Sequence, residues 1–92
     1  MRTTVTWSGD IDLSTVWAAQ SELMAVIEAA GADEVVVDLG AVTFLDSMGI
    51  SALLSARGAA ETAGVRLMLS GLSDSIEKLF AVAGLTGLFD IV

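Results

Sequence analysis

Two hydrophobic periods take turns along the chain, one of two residues and one of three to four. Thr3 to Trp7 is β-branched and aromatic, which predicts a strand ending at Ser8-Gly9. From Leu13 to Ala30 the chain turns Ala-rich, and Val16, Leu23, Ile27 and Ala30 fall on one helical stripe. Asp12 or Ser14 can cap that helix and Gly31 can close it. Val35, Val36, Val37 and Leu39 form a short β-branched run, which predicts a strand buried on both faces. Ser47 to Ala63 is helical again, with Ile50, Leu53, Leu54 and Arg57 at helical spacing and Gly64 behind it. Val65 to Leu69 predicts a strand. Ser73 or Asp74 opens a helix through Val82, closed by Gly84, and Leu88 to Val92 predicts a last strand.

The predicted order is β-α-β-α-β-α-β. Strands separated by helices imply an α/β domain with a mostly parallel four-stranded sheet and right-handed crossovers. At 92 residues the chain is expected to form one domain over residues 1–92. Connections are predicted to be short, except for the stretch Gly40 to Asp46.

Composition narrows the function. The chain has 12 Asp+Glu against 4 Lys+Arg, a net charge of −8, and it is 54% hydrophobic. It is therefore a folded protein rather than a disordered one. The acidic balance argues against nucleic acid, since nothing neutralises a phosphate backbone, and against anionic membrane surfaces. It suits a partner with basic contacts. There is no His and no Cys, so a Ser-His-Asp triad, a Cys nucleophile, a thiolate zinc site and a disulfide are all excluded. No enzyme, metal or cofactor is expected. The first ten residues hold no apolar signal segment and no apolar run is long enough to span a bilayer, so no membrane insertion and a cytoplasmic location are expected.

The segment after the central strand holds the candidate chemistry. Ser47 stands at the start of a helix, where unpaired N–H groups and the helix dipole tolerate a phosphate. Asp46 and Ser47 are also both preferred N-caps, so from the residues alone capping is the simpler explanation of the pair. Gly49 is read as keeping the first turn clear for a docking partner. Asp10 and Asp12 serve turn and cap chemistry, or contact basic groups of a partner. Asp38 is read as structural, Trp7 and Trp17 as packing residues, and Arg57 as a partner contact or a solvated outer residue.

Three segments carry a resemblance. Val35-Val36-Val37-Asp38-Leu39, followed by Val42-Thr43-Phe44-Leu45-Asp46-Ser47-Met48-Gly49-Ile50 and Leu53-Leu54, resembles the core signature of the STAS domain. It is most similar to that of bacterial anti-sigma factor antagonists. Gly9-Asp10-Ile11-Asp12 is similar to the family's Gly-Glu-Leu-Asp turn, and Ser75-Ile76-Glu77-Lys78-Leu79-Phe80 with Ala83-Gly84-Leu85 resembles its third helix. The resemblance implies a STAS fold, in a minimal version without the family's first strand and last helix. It implies that Ser47 is phosphorylated by an anti-sigma factor that is also a serine kinase. The unmodified form would bind that kinase and release the sigma factor, and a phosphatase would restore it after phosphorylation. Asp10, Asp12, Asp46, Met48 and Gly49 would form the partner-binding face. Met48 departs from the Ser or small residue common there. A missing strand would leave a sheet edge open, and weak self-association is expected.

Two other readings compete. The same fold could serve as a non-switching interaction subunit of a transporter or lipid-transport complex. A phosphoaspartate receiver would use Asp10, Asp12 and Asp38 to hold Mg²⁺, but it resembles a longer chain with a lysine after its last strand, and the only lysine, Lys78, lies within a helix.

Overall fold

In the computed structural model, which describes residues 1–29 and 33–92, the elements follow the predicted order. They are β1 (Arg2–Ile11), α1 (Val16–Glu28), β2 (Glu34–Leu45), α2 (Ser47–Ala63), β3 (Arg66–Ser70), α3 (Asp74–Val82) and β4 (Asp90–Ile91). The predicted helix positions at Ala30 and Gly31 lie outside the described residues.

The sheet is ordered β1-β2-β3-β4 and every pair is parallel. Strand order follows chain order with no reversal, so right-handed crossovers place every connecting helix on the same face. The core has that form. Val5, Trp7, Val35, Val37, Leu67 and Leu69 join Val16, Leu23 and Ile27 of α1, Ile50, Leu53 and Ala56 of α2, and Ile76 and Phe80 of α3 in one buried cluster.

The opposite sheet face is covered by no helix among the described residues. Val36 and Met68 are buried there, as predicted for the central strand, within the cross-strand row Thr4, Val36, Met68, Asp90. One row nearer the amino ends, Arg2, Glu34 and Arg66 stand side by side. Arg66 pairs with Asp90 at 3.0 Å and with Glu34 at 3.6 Å, and Arg2 pairs with Glu34 at 3.4 Å. The Asp90 hydrogen bond and charge, with help from Glu34, hold the Arg66 guanidinium above its ordinary pKa. Exposed pairs of this kind contribute about 0–1 kcal/mol each.

Several boundaries differ from those predicted. β1 continues past Ser8-Gly9 to Ile11, and Gly40 to Leu45 is strand rather than loop. The two extensions support each other: Ser8, Gly9, Asp10 and Ile11 pair with Ala41, Val42, Phe44 and Leu45. Register shifts interrupt the ladder between Thr6 and Ser8 and between Gly9 and Asp10. Gly9 has φ +70°, so what reads as a turn signal is an irregularity inside a strand. α1 begins at Val16 instead of Leu13, because the Asp12 carboxylate and carbonyl organise a turn through Ser14 and Thr15 first. Ser73 caps α3, its hydroxyl accepting from the Ile76 N–H at 3.2 Å. β4 keeps only Asp90 and Ile91 of the predicted Leu88–Val92: Leu88 bonds back to the Leu85 carbonyl, and Phe89 turns into the core against Phe80, ring centroids 5.8 Å apart.

The two tryptophans separate. Trp7 is 2% exposed, whereas Trp17 is 63% exposed and is not a packing residue. Trp17 sits one position off the Val16, Leu23, Ile27 stripe, about 100° around the helix from Val16. Leu54, one position past buried Leu53, is exposed for the same reason.

Candidate functional site

β2 ends at Leu45 and α2 starts two residues later, at Ser47. Between them Asp46 is extended, with φ −104° and ψ −171°, and its carboxylate accepts from the N–H groups of Met48 at 2.8 Å and Gly49 at 3.3 Å. Asp46 is thus the N-cap, a role that contributes about 0.5–2 kcal/mol. Ser47 is left as the first helical residue, exposed and free of the capping duty. The Asp46 N–H donates to the Ile11 carbonyl at 3.4 Å, which ties the helix start to the end of β1.

Gly49 does not clear space for a partner. It is buried, and a Cβ there would stand 2.2 Å from Leu45 Cδ1 and 3.1 Å from Ile11 Cγ2. The missing side chain lets α2 pack down onto the two strand ends. Met48 is half-buried against the core and borders a groove between α1 and α2, beside Trp17.

Asp10 and Asp12 lie at the same end of the sheet, each fixed by a neighbouring hydroxyl. The Asp10 carboxylate accepts from Thr43 Oγ1 at 2.7 Å, and its carbonyl accepts from Thr15 Oγ1 at 2.6 Å. The Asp12 carboxylate accepts from Ser14 Oγ at 2.7 Å and from the Ser14 N–H at 2.9 Å. The Ser14 side-chain and backbone hydrogen bonds, with a lesser contribution from Thr15, hold the Asp12 carboxyl below the usual range. Thr15 and Thr43 were not singled out in the sequence. The available signal was a hydroxyl three residues after Asp12 and a polar residue between Val42 and Leu45.

The remaining candidates have structural partners. Asp38 accepts from the Gly40 N–H at 2.9 Å. Gly71, at φ +70°, passes so close that a Cβ on it would meet Gly40 N at 2.7 Å and Asp38 Oδ1 at 2.9 Å. Arg57 donates to the Leu88 carbonyl at 3.0 Å and pairs with Glu61 at 3.9 Å, which braces α2 against the final turn. Among the described residues no group of three or more acids could hold a metal, so the receiver-type pocket is not assembled. Nor is any described helix long and apolar enough to cross a membrane.

Open α/β sheets bind small ligands in the crevice where strand order reverses. This sheet has no reversal. Its carboxyl end offers instead a surface with the exposed Ser47 hydroxyl at the start of α2 and Asp46, Asp10 and Asp12 at the same end. Such a surface can accept a phosphoryl group and meet another protein.

Comparison with known proteins agrees with this architecture. An anti-sigma factor antagonist from Mycobacterium paratuberculosis is 26% identical and superposes with a TM-score of 0.82, over 96% of this chain and 74% of its own. The Bacillus cell fate determinant SpoIIAA, in its phosphorylated form, is 20% identical with a TM-score of 0.73, over 98% of this chain and 82% of its own. The STAS domain of a SulP transporter from Vibrio cholerae is 18% identical with a TM-score of 0.79, over 98% of this chain and 71% of its own. Fold similarity therefore spans regulators and transporter domains alike. The STAS domain family model matches residues 2–92, and with that match the chain belongs to the STAS domain family.

Proposed function

We propose that this chain is an anti-sigma factor antagonist whose switch is Ser47. In its unphosphorylated form it binds an anti-sigma factor serine kinase and releases the sigma factor; phosphorylation at Ser47 ends that binding and a phosphatase restores it. The observation that carries the reading is the division of labour at the start of α2: Asp46 caps the helix, so Ser47 is exposed and its hydroxyl can be modified without uncapping it. The likeness to SpoIIAA in its phosphorylated form supports the same reading.

Phosphorylation adds roughly −1.5 to −2 charges at pH 7. They arrive next to Asp46 and at the end of the sheet that also holds Asp10 and Asp12, in a protein already at −8. The helix N-terminus offsets about 0.3–1 kcal/mol of this locally, so no refolding is required. Affinity is lost at the interface, through the bulk of the phosphate and the cost of desolvating it against a surface that fits a hydroxyl. A tenfold loss needs only about 1.4 kcal/mol.

The test is incubation with anti-sigma-type serine kinases and ATP, with the phosphate located by mass spectrometry. Phosphate at Ser47, loss of kinase binding on modification, and unchanged circular dichroism are expected. Ser47→Ala should bind but resist modification, and Ser47→Asp should lose part of the affinity. Phosphate mainly at Ser14, Ser51 or Ser73 would sink the assignment. Kinase-independent binding to a transporter would favour the non-switching subunit.

A further inference from the structure

We propose that the groove between α1 and α2, walled by Trp17 and Met48, receives one large apolar side chain from a basic segment of the partner. The inference rests on the antagonist reading of Ser47 and adds to it the chemistry of the occupant.

Trp17, the second residue of α1, leaves an indole 63% exposed. It borders a groove of about 160 Å³ with Gln20 on its own helix and Met48, Ser51 and Ser55 on α2. That volume compares with the roughly 150 Å³ of an apolar cavity that accepts benzene. Met48, Ser51 and Ser55 fall on one stripe of α2, and the two serines are small enough to leave the floor low. Ser47 precedes Ser51 by four residues, so the two share a helix face and the groove opens beside the phosphoacceptor. An exposed Trp and a half-buried Met beside a recess supply the rigid aromatic anchor and adaptable wall typical of energetically dominant interface positions.

Charge selects the occupant. Asp10, Asp12 and Asp46 stand at the carboxyl ends of β1 and β2. Arg2 and Arg66 are paired at the opposite, amino ends, and Arg57 is engaged by Glu61 and the Leu88 carbonyl. A second copy of this chain would bring a net charge of −8 to that acidic end of the sheet. A partner segment with Lys or Arg flanking a Leu, Met or Phe complements both that acidic end of the sheet and the uncharged groove beside it.

The experiment compares binding of the kinase that phosphorylates Ser47 to the wild-type protein, Trp17→Ala, Met48→Ser and, as a control on exposed α3 surface, Val82→Ala. Trp17→Ala should lower affinity tenfold or more with an unchanged circular dichroism spectrum, Met48→Ser several-fold, and Val82→Ala not at all. Wild-type binding should weaken as salt is raised. A Trp17→Ala protein that binds within twofold of wild type, while Ser47 is still phosphorylated, overturns the groove and leaves the switch standing. A second arm uses a synthetic peptide with one leucine between two arginine pairs, followed by NMR. Shifts at the Trp17 indole N–H and Met48 methyl, lost when that leucine becomes serine, are expected. If no kinase binds or modifies the chain, the antagonist reading fails and the peptide decides the groove by itself, absence of those shifts overturning it. Self-association of the protein that disappears in Trp17→Ala would also overturn it, since the occupant would then be a second copy.

Discussion

Thr43 clamps Asp10: its hydroxyl donates to the Asp10 carboxylate at 2.7 Å, joining β2 to β1 three residues before the Asp46 cap. The bond fixes the direction of one acid on the proposed docking surface and holds together the strand extensions that carry Ser47. Thr43→Val keeps the β-branched shape and removes the donor. Stability should fall by about 0.5–1.5 kcal/mol, the net worth of one hydrogen bond, measured by urea denaturation. No change in stability would mean that water replaces Thr43 at no cost.

Gly49→Ala should be the more damaging change, although it alters one methyl group. The new Cβ would point at Leu45 Cδ1 and Ile11 Cγ2, both on buried residues. Overpacking of this kind costs about 1–3 kcal/mol. The lowered melting temperature should come with NMR shifts at Ser47, because α2 must lift to relieve the contact.

Asp12 supplies a pH signature. Its carboxyl is depressed in the folded state by Ser14 and then Thr15, against an unfolded value of about 3.9. A depressed carboxylate contributes stability above the unfolded pKa, and that contribution is lost as pH falls through the lower folded pKa. The carboxyl resonance of Asp12 should therefore titrate below pH 3.9. Ser14→Ala, which removes the hydroxyl donor but keeps the N–H, should move the midpoint part of the way back up. An unchanged midpoint would remove Ser14 Oγ as the main cause.

β1 pairs with β2 on one side and, among the described residues, with nothing on the other. An open edge invites pairing with another chain. The register shifts after Thr6 disturb the far half of the strand, which leaves Arg2 to Thr6 as the regular template. Sedimentation velocity should show weak, concentration-dependent association, reduced by Thr4→Lys on this edge. A clean monomer across a wide concentration range would show that the bulged half already protects it.

The order of elements was legible because each carries its own period, and α2 was placed residue for residue because Asp46, Ser47 and Gly64 mark both ends. The strand ends were harder to read. Gly9 and Gly40 look like turns in one dimension, and only the pairing of β1 with β2, which resumes at Ser8 and Ala41, keeps them inside strands. Asp46 and Ser47 were identified as a cap and a candidate site, but which residue capped depended on backbone geometry that neither residue type dictates. Gly49 was noticed for the wrong reason, since its neighbours Leu45 and Ile11 come from two different strands. Trp17 was misplaced because a large aromatic is usually buried, and helix phase overrode that tendency here.

The ion-pair row on the open sheet face has a kinetic consequence. By holding Arg2 and Arg66 at the amino ends of the strands, the fold separates its charge into a neutralised pole and an acidic pole. A basic protein diffusing nearby feels a torque as well as an attraction, and arrives already turned toward the start of α2. A phosphate there deepens the field at that same pole. Under the proposed switch, the modification that would shorten the life of the kinase complex should therefore speed the first encounter with a basic phosphatase.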